Sequence, residues 1–76
     1  MNSSEAVHLL VELASRLKCR GEIDSSNYFL NLSREEPSSI EFIERASGIG
    51  RMLDFFDFTK EEKEIMLRIQ HLAQPS

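Results

Sequence analysis

SSIEFIERASGIGRMLDFFDFTKEE, residues 38–62, holds the choice between two architectures. If Gly48 and Gly50 lie within one helix, the chain is a plain bundle. If they form a turn, a helix-turn-helix becomes the alternative. Phe42, Ile43, Ala46, Ile49, Gly50, Leu53 and Phe56 fall on one arc at helical spacing. The arc stays in register through both glycines. We therefore expect one helix, although each interior glycine costs about 1 kcal/mol. Gly50 lies on the arc, where a missing side chain permits close approach of another helix. Pro37 discourages Glu36 from helix, and the Ser38–Glu41 spacing matches a capping box. Asp57 would enter the apolar arc, so the helix should end near Phe56.

Downstream, Thr59 and Glu62 form the clearest capping box in the chain. Glu61 and Glu62 suit the positive end of a helix dipole. Ile65, Met66, Ile69, Leu72 and Ala73 make a buried stripe, and Glu64 and Arg68 are spaced for an i,i+4 pair. Upstream, Asn2 and Glu5 match another capping box that opens a first helix. Lys18 and Arg20 sit at its far end, and Gly21 is a plausible C′ residue. Its apolar positions, from Ala6 through Leu17 and including Val7 and Val11, cover roughly 200° of the wheel. Such a face belongs either to a central helix or to one that also meets another molecule. Between Gly21 and Pro37, Asp24 or Ser25 caps a short helix with Tyr28, Phe29 and Leu32 on one side and Leu30 off it. The aromatic cluster is also compatible with a strand, but no partner strand is evident.

These segments imply an all-α fold. Residues 1–76 form one small domain, a bundle of three to four short helices over about 4–20, 25–35, 39–56 and 60–73. A chain of 76 residues buries only about 60% of its unfolded surface, so a partner or a second copy is a plausible source of stability. At 41% hydrophobic and 29% charged, the composition is that of a globular protein. The net charge of −4 weighs against nucleic acid, whose binding leans on basic side chains. Cys19 has no cysteine to pair with in the chain and fits a reducing compartment. There is no basic signal-peptide start and no apolar run of about 20 residues. We expect a soluble, cytoplasmic protein with no membrane association.

After one core is filled, some apolar residues remain. Phe55 points about 100° from the core arc, Met52 leans outward toward Phe55, and Phe58 plugs the corner between two helices. Leu67 stands alone among polar neighbours. Scattered exposure is one explanation. A contact patch of Met52, Phe55 and Leu67, with Val7 and Val11 on the margin of the first helix, is the other.

The sequence offers little for chemistry. His8 and His71 fall on polar faces with no motif to unite them. Cys19 sits between Lys18 and Arg20 but lacks a positioned base. The Gly48–Gly50 stretch is far short of a phosphate loop. Asp54, Asp57, Glu61, Glu62 and Glu64 lack calcium-loop spacing and read as a solvated face. We therefore expect no enzyme, no cofactor and no metal. The leading expectation is a protein-interaction module, a regulator, inhibitor or assembly factor that binds a protein partner or itself. The alternative is a helix-turn-helix-like transcriptional regulator that contacts phosphates through Arg16, Lys18, Arg20 and Arg45. A third option is an acidic decoy that uses Glu61 and Glu62 to occupy a basic surface.

Overall fold

In the computed structural model, which describes residues 3–36, 38–54 and 57–73, the first helix organises the rest. This helix, α1, spans Ser3–Cys19 and is followed by α2 over Ile23–Ser33, α3 over Ile40–Ser47 and α4 over Lys60–Ala73. A short 3-10 turn, Ile49–Met52, follows α3. Among the described residues there is no strand.

The wide apolar face of α1 is explained by its central position. Both α2 and α4 pack on it. Ala6, Leu10, Leu13, Ala14 and Leu17 are buried, while Val7 and Leu9 pack against the core from its margins. The helix ends as its sequence suggests. Gly21 takes φ +88°, a backbone region that suits glycine. The Glu22 amide donates to the Leu17 carbonyl at 2.9 Å, and the Gly21 amide to that of Lys18 at 3.1 Å. This pairing is the Schellman closure, and it satisfies carbonyls that the helix end would leave bare.

The tight exit starts α2 at Ile23, earlier than expected. Asp24 lies in its first turn and Ser25 is buried inside it, so neither residue is the cap. The cap position belongs to Glu22, whose side chain makes no capping bond. The helix is held from its interior instead. The Ser26 hydroxyl donates to the Ala14 carbonyl of α1 at 2.7 Å in a buried contact. Phe29 and Leu32 enter the core, and Leu30 also packs against it, contrary to its expected outward position. Tyr28 departs in the opposite sense. It was grouped with Phe29, but it is 41% exposed.

The largest departure lies at the glycines. The expected helix over 39–56 is interrupted: α3 ends at Ser47, and Leu53 and Asp54 form a turn beyond the 3-10 segment. The cause is twenty residues away in sequence. Gln70 of α4 presents Oε1 to the Gly50 amide at 2.6 Å. That amide is thereby drawn from the helical ladder, and the chain tightens to i→i+3 bonds, Arg51 to Gly48 and Leu53 to Gly50. A Cβ on Gly50 would collide with the Gln70 side chain. Close approach at Gly50 is real, but a polar side chain makes it. The start of α3 also shifts by one residue. Ser39, not Ser38, is the N-cap, and its hydroxyl accepts from the Phe42 amide at 3.1 Å.

The core is shared by all four helices through Leu10, Leu13, Phe29, Phe42, Met66 and Ile69, with Ile49 from the 3-10 turn. Phe58 fills the corner before α4, 7% exposed, with its ring 6.3 Å from that of Phe29. The radius of gyration, 11.2 Å, matches the value of about 11 Å expected for a folded chain of this length. The bundle thus closes as one compact all-helical domain.

Candidate functional site

Charge and apolar surface are distributed differently on this bundle, and each constrains function. The α1–α4 seam is closed by two ion pairs. At one end, the Arg20 guanidinium donates to both carboxylate oxygens of Glu62, at 2.8 and 2.7 Å. It also reaches the Asp57 carbonyl at 2.7 Å. Glu62 completes the expected capping box, accepting from the Thr59 amide at 2.8 Å while its own amide donates to the Thr59 hydroxyl at 3.2 Å. Glu62 is only 2% exposed and is not part of a solvated acidic face. The Arg20 hydrogen bond, opposed by burial and aided by Thr59, holds the Glu62 carboxyl below the usual carboxylate range. At the other end, Arg68 donates to Glu5 of α1 at 2.7 Å. The expected Glu64–Arg68 pair is replaced by this interhelical one.

These pairs bear on the nucleic-acid alternative. Arg20 is committed to Glu62, Arg45 to Glu35, and Arg16 lies 4.0 Å from Glu12. Of the four candidate phosphate contacts, Lys18 alone has no ion-pair partner among the described residues. The break at the glycines does not create a reading helix either. Arg51 and Met52 are in the 3-10 turn, Leu53 and Asp54 form a turn, and Asp57–Thr59 are not helical. The acidic-decoy option loses Glu62 to burial and keeps Glu61, which is exposed.

The expected contact residues do not converge on one patch. On α1, Glu5 meets α4, whereas Val7 and Val11 lie on the flank turned away from that seam. Val11 is 44% exposed and Val7 half-buried. Leu67 is 48% exposed, on the face of α4 turned from the core. Met52 is half-buried and packs against the core. With Asp24, Ser25 and Tyr28 it lines an apolar hollow of about 140 Å³ between α2 and the 3-10 turn. Phe55 and Phe56 lie outside the described residues, as does Asn2 of the expected first capping box.

Sequence reasoning missed Tyr28, Ile23 and Ile40 as exposed apolar side chains, the last at 74%. Ile40 is the first residue of its helix and lies outside the apolar arc, a signal that was present. Tyr28 carried a weaker signal, since its hydroxyl suits a residue with one wet end.

His8 and His71 are both exposed, and so is Cys19 at the end of α1. Among the described residues, no group of three or more His, Cys, Asp or Glu side chains is placed to hold a metal ion. No helix among them is long and apolar enough to cross a membrane. Comparison of the chain with protein-family models, with curated proteins and with solved structures gave no match.

Proposed function

We propose that this protein is a small non-catalytic interaction module that acts by binding another protein and is able to self-associate. The observation that carries this proposal is the apolar surface left outside a core that is already filled. Val11 and Leu67 remain 44% and 48% exposed, and Tyr28 and Met52 frame an open apolar hollow. Exposed aromatic and aliphatic side chains of this kind supply the anchors of protein interfaces. The proposed contact residues are Met52, Phe55, Leu67, Val7 and Val11, to which the hollow adds Tyr28; they serve as separate contact points and not as one continuous patch. The net charge of −4, with Arg20 and Arg45 already paired to carboxylates, supports a protein partner over nucleic acid, because the chain offers phosphates little positive field.

The expected result for Phe55→Ala is weakened association with an intact fold. Sedimentation equilibrium across micromolar concentrations reads the self-association, and circular dichroism reads the fold. A wild-type dimer whose dissociation constant rises at least tenfold in the variant supports the proposal. A dimer that forms equally well in both excludes Phe55 from the interface.

A further inference from the structure

Along the α1–α4 seam, two hollows merge into one groove. The larger, about 520 Å³, lies toward the Cys19 end, and the smaller, about 260 Å³, toward Leu9. They share Glu12, Arg16 and Glu61. Leu9 and Ile65, both half-buried, provide an apolar floor. Ser15 and Cys19, one turn apart on α1, open the other end because their side chains are small. From Leu9 to Cys19 the helix rises about 15 Å, enough to lie beside roughly three turns of a second helix.

The charges of the groove select its occupant. Arg20 is consumed by Glu62 and Arg68 by Glu5, each at 2.7 Å. Arg16 and Glu12 face each other at 4.0 Å, both about half exposed, a weak and separable pair. Glu61 and Glu64 remain, exposed and without a partner among the described residues. The groove therefore combines an apolar floor with uncompensated carboxylates on its α4 wall. A second copy of the chain, itself at −4, is poorly matched to it.

We infer that the α1–α4 groove receives a cationic amphipathic helix from a partner protein. Its apolar side chains, at i, i+3 and i+7, lie over Leu9 and Ile65, and its lysines or arginines face Glu61 and Glu64. Complementary charge fixes orientation and speeds encounter, while the apolar floor supplies affinity. This inference rests on the chain being a protein-binding module, but not on the contact residues proposed for it above.

The test uses the full chain and a fluorescein-labelled helical peptide of leucine and lysine only, with leucines at helical spacing. Anisotropy gives its affinity for wild type, for Glu61→Lys/Glu64→Lys and for Glu41→Lys/Glu44→Lys on α3, which changes net charge equally. The groove variant should bind at least tenfold more weakly, and the α3 variant within threefold of wild type. Glu61→Gln/Glu64→Gln, a milder change at the helix start, should show an intermediate loss and guards against misfolding. Equal losses in the groove and α3 variants would mean unspecific attraction and overturn the inference, as would the absence of saturable binding. Amide shifts separate the two proposals. Shifts at Leu9, Ser15, Cys19 and Arg68 support the groove, whereas shifts confined to Tyr28 and Met52 overturn it and leave the module proposal standing.

Discussion

Replacing Arg20 by alanine should cost about 2 kcal/mol of folding free energy at neutral pH, within the range for hydrogen bonds to a charged group. Glu62 is 2% exposed, whereas the Arg20 side chain is 31% exposed, so the loss falls mainly on the carboxylate. The effect should also depend on pH. In the wild type, Arg20 lowers the Glu62 pKa from its ordinary 4.5. A carboxyl lowered by folding stabilises the fold above its unfolded value, and that contribution fades as pH falls through the folded value. In Arg20→Ala the largest cause of that lowering is gone. Burial is then opposed only by the Thr59 hydrogen bonds, so the carboxyl rises toward its ordinary range and most of this pH-dependent contribution is lost. The gap between the two proteins should therefore narrow from pH 7 to pH 3. Urea unfolding at both values measures it. A gap below 1 kcal/mol at pH 7, or one that does not change with pH, would show that the pair does not lock the seam.

The second large effect is expected at Phe29. Its side chain is fully buried and meets the rings of Tyr28 and Phe58 edge-on, with centroids 5.3 and 6.3 Å away. Truncation to alanine removes this contact and leaves a cavity, for about 4 kcal/mol. A domain of 76 residues has only about 4–11 kcal/mol in total, at the usual 0.05–0.15 kcal/mol per residue. Phe29→Ala should therefore lose about a third or more of the total and melt far below the wild type, while Phe29→Leu keeps most of the volume and the fold. Thermal unfolding followed by circular dichroism distinguishes these outcomes. A melting temperature for Phe29→Ala within a few degrees of wild type would mean that this corner is not the keystone of the core.

The stripes on α1 and α4 were legible because each repeats at 3.6 residues and each is bounded by a local signal, Gly21 on one side and Thr59–Glu62 on the other. What the sequence hid was non-local. The apolar arc of residues 42–56 has helical periodicity, and no local property reveals that Gln70 will take the Gly50 amide. Glu62 was similarly ambiguous. A capping box explains its place in the sequence fully, so nothing signals that Arg20 also reaches it from the end of α1. Arg20 itself matched the helix dipole, a sufficient reason that concealed a stronger one. For the candidate contacts, exposure at Val11 and Leu67 followed from the wheel. The hollow under Tyr28 did not, because it arises where α2 meets the 3-10 turn, an element the wheel did not contain.

The central claim is that the exposed apolar side chains serve a partner while the bundle folds without them. Val11→Ser, Tyr28→Ser and Leu67→Gln in one chain leave every fully buried side chain in place; Val11→Ser and Leu67→Gln should each alter stability by about 0.5 kcal/mol, and Tyr28→Ser, which removes the ring that meets Phe29, by about 1 kcal/mol. Immobilised wild type and this triple variant would be exposed to the same cell lysate, and the retained proteins quantified by mass spectrometry. The prediction is at least one protein held by wild type and reduced at least tenfold on the variant, with both baits equally folded. Identical retention by the two baits, or no specific retention by wild type, would contradict the claim.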